Sequence, residues 1–404
     1  MERPAQSYDV TADARRWLLV PAAILVQLAL GSVYAWSVFN KPLQAQFGWD
    51  KAHAVLPFEV AIGSIFVGSM IGGRIQDRFG PRPVALAGGL LYALGVIGAS
   101  LVHRADQLWL LVLSYGFVGG AGLGAIYITP IAMLAKWFPD KRGLITGLAV
   151  GGFGFGAVLT APVGKMLLAK TTNVPSVFLP LGIAYAIMCV LGAMWFRNPT
   201  NSSAKSSSTT GYTLREALRT PQWFQLCGAL LLNTLCGIAL VSQASDAAQD
   251  LAGATAAAAA GIVGFLAVFN GAGRIVWAAA SDRLGRTRSM ALMLALQAGA
   301  FLALPHVPSA AFVPLAALIY LCYGGGFGVI PATASDFFGT RYAGAIYGSM
   351  IVAWSAAGAL GPLIASKLYE SSGKHYGTPF TVIGVIAAIS VILPLVTRPP
   401  AKRA

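Results

Sequence analysis

The chain has 404 residues, of which 56% are hydrophobic and only 10% charged, with a net charge of +14 and a mean hydropathy of +0.69. An ordinary soluble domain is about 25% charged, so a water-soluble globule of this size is excluded and lipid must be the solvent for much of the surface. The 28 Lys and Arg residues are scattered over the chain rather than gathered in a stripe with exposed aromatics, which leaves nucleic-acid binding without support.

Apolar runs of about 20 residues, each long enough to cross ~30 Å of hydrocarbon as a helix, recur along the whole chain. They fall at 17–39, 52–73, 83–102, 107–134, 143–165, 175–196, 222–245, 254–280, 288–305, 310–334, 343–366 and 378–396. The ninth is interrupted near Pro305 and His306 and is the one most easily misread. Arg15 and Arg16 ahead of the first run look like the start of a signal peptide. That run lacks an obvious small-residue cleavage site, so it reads as an uncleaved first helix. Cys189, Cys227, Cys236 and Cys322 all lie within spans, without the CxxC spacing of a metal site, and read as small packing residues. The Ser/Thr-rich stretch NPTNSSAKSSSTTGY at 198–212 has the composition of a flexible linker.

The expected fold is therefore an all-α polytopic membrane protein of twelve transmembrane helices. It divides into a tail (1–16), a six-helix bundle (17–197), a linker (198–221), a second six-helix bundle (222–397) and a tail (398–404). With both termini in the cytoplasm, 20 of the 28 Lys and Arg residues face that side, 7 face the other, and Arg274 lies inside a span. This is the positive-inside distribution expected of a multi-pass inner-membrane protein.

The two halves share a loop. Loop 2/3 reads GRIQDRFGPRP from Gly73 and loop 8/9 reads AAASDRLGRTR from Ala278, with Asp77 and Asp282 205 residues apart. An acid at a helix end can pair with Arg and with the positive N-terminus of a neighbouring helix, while Gly permits a tight turn. Asp77, Arg78 and Gly80, with Asp282, Arg283 and Gly285, are thus expected to form a conformational latch on a moving bundle. A single such loop would be only an ordinary basic connection; two copies at matching places are harder to dismiss.

The duplicated G-x-x-x-D-R-x-G-x-R loop, the six plus six spans and the polar central linker resemble the major facilitator superfamily. Within it, ALGSVYAWSVFNKPL (29–43), KWFPDKRGLITG (136–147) and FNGAGRIVWAAASDRLGR (269–286) resemble the oxalate:formate antiporter family and its monocarboxylate-carrying relatives. Ala278 departs from the pattern, standing where the second loop should have its first Gly. The resemblance implies two pseudo-symmetric bundles around a midplane cavity that opens alternately to each side.

Arg274 is the most informative residue. An Arg in hydrocarbon costs at least ~2.5–3.5 kcal/mol on insertion scales, so something must compensate it. In a cavity, its planar fork can receive a carboxylate through paired N–H donors; the alternative is a side chain snorkelling to the membrane surface. The resemblance places the substrate-binding arginine of span 8 at this position. Asn270, one turn earlier on the same face, can add an amide contact or act as helix-to-helix glue; the Asn-x-x-x-Arg pair also occurs in the monocarboxylate carriers. Tyr34, Trp36, Tyr127, Tyr323 and Trp354 lie deep in spans, where a Tyr hydroxyl needs a partner, and are expected either to line the site or to pack the core. By resemblance, Tyr127 and Tyr323 match aromatic positions of the family's site, and Trp354 stands where oxalate carriers have a Lys. One buried cation suits one carboxylate.

Glu59 is the acidic side chain set well inside a span and is a candidate to carry a proton, or else a hydrated part of a cavity wall. Asp250 is expected in an external loop. His53, His103, His306 and His375 all fall in external loops, against an intramembrane His relay. The Gly-rich runs GGAGLGAIY (119–127) and GGFGFGAVL (151–159) lack the strand-turn-helix setting of nucleotide loops and read as close helix contacts. No metal cluster, cofactor motif or catalytic constellation is found, so an enzyme is not expected.

The expectation is a secondary transporter, monomeric in the bilayer, of a small monocarboxylate of the lactate, pyruvate or formate type. A co-moving proton or a counter-anion would balance the charge. The alternatives are an oxalate/formate-type exchanger and, in another class, a carboxylate-binding membrane sensor without transport.

Overall fold

A computed structural model describes residues 14–199, 211–373 and 375–400. Among them twelve helices are long and apolar enough to span a bilayer. In the first half these are α1 (Arg16–Phe47), α2 (Ala52–Phe79), α3 (Pro81–Ala99), α4 (Ala105–Trp137), α5 (Arg142–Leu168) and α6 (Val174–Ala193). The second half contributes α7 (Pro221–Ala252), α8 (Gly261–Leu284), α9 (Arg286–His306), α10 (Ser309–Phe338), α11 (Ala343–Ser371) and α12 (Gly377–Val396). Every apolar run of the sequence meets one helix, the ninth included, which ends at His306. Most helices outrun their apolar runs, because hydropathy marks only the part in hydrocarbon while polar ends remain helical beyond it.

Local chemistry sets the helix ends. Asp50 accepts from the His53 backbone N–H at 2.8 Å at the start of α2, and in the same way Thr220 caps α7 and Thr255 caps the helix Ala256–Leu284, of which α8 is the spanning part. The α2–α3 and α8–α9 turns pass through Gly80 (φ 90°) and Gly285 (φ 91°), a backbone conformation that a Cβ strongly disfavours. The glycine of each duplicated loop thus serves the turn. Pro81 then opens α3, where its missing N–H costs nothing.

The halves repeat one packing plan. α1 packs on α5, α2 on α4 and α3 on α6; correspondingly α7 packs on α11, α8 on α10 and α9 on α12. Exposed apolar side chains such as Leu90, Leu94, Ile183, Ile187, Ile389 and Ile392 lie on α3, α6 and α12, a surface suited to hydrocarbon. The Gly-rich runs make close helix contacts as expected: a Cβ on Gly124 of α4 would stand 2.0 Å from the Ile65 carbonyl oxygen of α2. Between the halves, α2 meets α11 and α5 meets both α8 and α10.

Two boundaries need correction. Arg16, placed in the tail by the sequence, is buried at the start of α1 and forms an ion pair with Asp140 at 2.9 Å. Residues 1–13, 200–210 and 401–404 lie outside the described residues, so most of the Ser/Thr-rich linker and the tails is not described. From the end of the Ser/Thr-rich stretch, the last part of the linker is folded. The Tyr212 N–H donates to the Phe338 carbonyl at 2.9 Å, and Thr213 with Glu216 forms a capping box on the short helix Leu214–Ala217.

Candidate functional site

Arg274 lies ten residues before the end of α8 and has no solvent exposure, so it does not snorkel. Its Nε donates to Asn270 Oδ1 at 3.2 Å and its Nη1 to the Val150 carbonyl of α5, across the halves, at 3.4 Å. The guanidinium carbon lies 5.3 Å from the Phe153 ring centre and 4.7 Å from that of Phe327, a cation–π setting that partly replaces lost hydration. Asn270 is fixed in turn by close contact with α10, since a Cβ on Gly324 would stand 2.0 Å from the Asn270 carbonyl oxygen.

What Arg274 lacks is an anion. Among the described residues no carboxylate lies within 4.0 Å of it, and its Nη2 has no hydrogen-bond partner. The side chains of Tyr34, Tyr127, Tyr323 and Tyr347 share its electrostatic surroundings. The hydroxyls of Tyr34, Tyr127 and Tyr347 and the indole N–H of Trp354 are likewise buried and make no hydrogen bond of ordinary length and angle, although Tyr34 interacts more loosely with Arg274 and Tyr323, and Tyr127 with Tyr347. Buried polar groups are nearly always satisfied, so one cation with several idle donors around it is a strong departure, and it is chemically suited to an anion.

The sequence candidates divide accordingly. Asn270, Tyr34, Tyr127 and Tyr323 gather around Arg274. Trp354 joins them through ring contacts with Tyr127 (5.5 Å), Phe153 (5.7 Å) and Phe327 (5.0 Å). Trp36 does not join them. Its indole donates to the Ala54 carbonyl at 3.0 Å, and its ring packs among Phe39, Tyr115 and Phe178, so it belongs to the core of the first bundle. Sequence reasoning missed Tyr347, Phe153 and Phe327. Tyr347 sits near the start of its span, where an aromatic reads as an interfacial anchor.

A cavity of about 420 Å³ lies between α1, α2, α7 and α11, with Tyr34 and Trp354 at its inner end and Glu59 and Ser366 toward the outside. Glu59 is exposed in its wall, which corrects the buried setting and matches the other one expected, a hydrated part of a cavity wall. Asp250, expected in an external loop, is in α7 and accepts from the Tyr369 hydroxyl at 3.2 Å, tying α7 to α11.

At the opposite ends of these helices the two Asp-Arg loops close the halves together. Asp77 accepts from the backbone N–H groups of Gly344 (3.3 Å) and Ala345 (2.7 Å) at the start of α11. Asp282 accepts from those of Gly143 and Leu144, both at 2.9 Å, at the start of α5. Each carboxylate therefore caps a helix of the other bundle, where the helix dipole favours negative charge. Among the described residues neither Asp77 nor Asp282 forms an ion pair with the adjacent Arg78 or Arg283. Arg78 lies 5.2 Å from the Phe79 ring centre, and Asp282 pairs instead with Arg286 at 2.8 Å, which also binds Asp336 at 2.8 Å. Asp336 in turn holds Arg142 at 2.7 Å.

Comparison with known proteins decides the family, because the model of the Major Facilitator Superfamily matches residues 19–362. The chain belongs to that superfamily of transporters. It is 31% identical to an uncharacterized MFS-type transporter, YhjX, of Escherichia coli strain K12 over 82% of this chain and 83% of that one. To the oxalate:formate antiporter of Oxalobacter formigenes it is 28% identical over 100% and 97% of the two chains, and to human monocarboxylate transporter 2 it is 29% identical over 49% and 41%. Among solved structures, the fucose:proton symporter FucP of E. coli shares the fold with a TM-score of 0.70 at 19% identity, over 94% of this chain and 98% of that one. The chain is accordingly a multi-pass membrane transporter of the major facilitator fold.

Proposed function

We propose that the protein carries a small monocarboxylate across the membrane by alternating access, with Arg274 as the substrate's counterion. The observation that supports this reading is the buried guanidinium with no carboxylate within 4.0 Å among the described residues and an Nη2 without a hydrogen bond of ordinary geometry. A carboxylate of one to four carbons would take the fork of Arg274, with the hydroxyls of Tyr34 and Tyr127 and the amide of Asn270 as further contacts. A single buried cation neutralises one carboxylate, and a second would be left uncompensated. The likeness to an oxalate:formate antiporter and a monocarboxylate transporter agrees with an anionic cargo.

The latch face is assigned to the cytoplasm of a cell's inner membrane by the positive-inside distribution. The conformation is then closed inward, with the Glu59 cavity facing out. Moving an anion against an inside-negative potential costs ~2.3 kcal/mol per charge per 100 mV, and a co-moving proton removes that cost. Glu59, in the wall of the cavity that reaches Tyr34 and Trp354 beside the Arg274 cluster, is the proposed carrier of that proton.

The test is flux in proteoliposomes with labelled lactate, pyruvate, formate and oxalate, under an imposed proton gradient or with internal counter-anion. Monocarboxylate uptake driven by an inward proton gradient agrees with the proposal. Uptake of oxalate alone, or uptake that needs an internal anion and ignores the proton gradient, contradicts it and favours an exchanger.

A further inference from the structure

The two latches differ in how their charges are balanced. Around Asp282, Arg286 and Arg142 are satisfied by carboxylates. Beside Asp77 lies a cleft of about 530 Å³ whose walls carry Arg74, Arg78, Arg215 and Arg341, with Thr213 at its rim. Both Asp77 oxygens are engaged by backbone N–H groups. None of the four arginines has a carboxylate within 4.0 Å among the described residues. Arg74 donates to the Met70 carbonyl of its own helix at 2.8 Å, and Arg341 lies 5.2 Å from the Tyr342 ring centre. Four cations thus share one opening with a single acid, and that acid's hydrogen bonds are spent on helix α11.

The neighbourhood of the cleft identifies the guest. Ile71, Ile75 and Phe79 follow one another at four-residue spacing on α2, and are exposed to 51%, 42% and 62%. They form an apolar stripe adjoining the cationic one of Arg74 and Arg78. A guest matched to both stripes carries an anionic head with oxygens for the guanidinium forks and an apolar tail to lie along the helix. A basic pocket between spanning helices at headgroup depth suits such a molecule, whereas a soluble phosphate would leave the apolar stripe unused.

We propose that this cleft binds the phosphate headgroup of an anionic phospholipid, with its acyl chains along Ile71, Ile75 and Phe79. Arg74 and Arg78 come from the first bundle, while Arg341 precedes α11 in the second and Arg215 lies just before α7. The site is therefore whole only while the halves meet at this face. It is separate from the Arg274 site and stands whatever the transported solute is.

The test uses the full-length protein in phosphatidylcholine nanodiscs doped with phosphatidylglycerol. Lipid retained after detergent extraction is read by native mass spectrometry for wild type, the double variant R215Q/R341Q and, separately, R74Q. Because all of these side chains are exposed, the variants are expected to fold, and an unchanged circular dichroism spectrum checks this. Wild type should retain phosphatidylglycerol in preference to phosphatidylcholine, and the double variant should lose that preference by about tenfold, with R74Q weakened in the same direction. Equal retention of the two lipids by wild type, or full retention of phosphatidylglycerol by both variants, overturns the proposal. Displacement of the lipid by inorganic phosphate alone also overturns it, in favour of a soluble anion.

Discussion

Asn270 Oδ1 accepts a 3.2 Å hydrogen bond from Arg274 Nε, which directs the rest of the guanidinium away from its own helix and toward the aromatic cluster. Removing this partner with Asn270→Ala should loosen the fork. Hydrogen bonds to charged groups contribute about 1.5–3 kcal/mol, so substrate affinity should fall roughly 10- to 100-fold. Asn270→Asp should abolish binding while raising thermal stability, because it supplies the internal counterion that Arg274 lacks. Thermal unfolding and equilibrium binding on the same preparations check both directions.

Tyr127 buries a hydroxyl that makes no hydrogen bond of ordinary length and angle, only a looser interaction with Tyr347. Tyr127→Phe should therefore leave unfolding temperature unchanged or slightly higher, yet weaken carboxylate binding by about 2- to 10-fold, the span of a net hydrogen bond of about 0.5–1.5 kcal/mol. A loss of stability with unchanged affinity would assign this hydroxyl to packing.

Trp36 and Trp354 should behave oppositely. Trp36→Phe breaks the bond to the Ala54 carbonyl and should lower stability by about 1–2 kcal/mol without altering the order of substrate preference. Trp354 has an unpartnered indole N–H beside the aromatic rings under Arg274. Trp354→Phe should change the preference among carboxylates and leave stability nearly intact. Competition assays with a panel of acids separate the two outcomes.

Asp77 and Asp282 each hold a helix N-terminus of the opposite bundle. The double variant Asp77→Asn/Asp282→Asn removes the charge from both contacts, at about 1.5–3 kcal/mol for each charged hydrogen bond, enough to move a two-state equilibrium more than tenfold. Spin labels at Lys141 and Arg283, one in each half, should report a longer distance in the variant than in wild type.

Much of this architecture was legible in the sequence because it rests on local rules. Twelve apolar runs set twelve helices, the repeated loops around Asp77 and Asp282 pointed to an acid at a neighbouring helix N-terminus without showing that the helix belongs to the other half, and Arg274 declared itself by its cost in hydrocarbon. The failures are tertiary. Trp36 and Tyr34 are two residues apart in the same apolar run, and no pattern distinguishes the one bonded to Ala54 from the one facing Arg274. Arg286 was hidden among three loop arginines, and its role depends on Asp336, 50 residues away. For Glu59 the sequence leaves a buried proton carrier and a hydrated cavity wall both open, and only the packing of α2 beside α11, which exposes that side chain in a cavity wall, separates them.

The central claim is that the positive charge of Arg274 is completed by the carboxylate of the cargo, and binding of an acid against its neutral isostere tests it most directly. Lactate and lactamide titrated by calorimetry against wild type and Arg274→Gln should give binding for lactate to wild type alone. Equal affinity of wild type for the acid and the amide, or undiminished lactate binding by Arg274→Gln, would contradict the account.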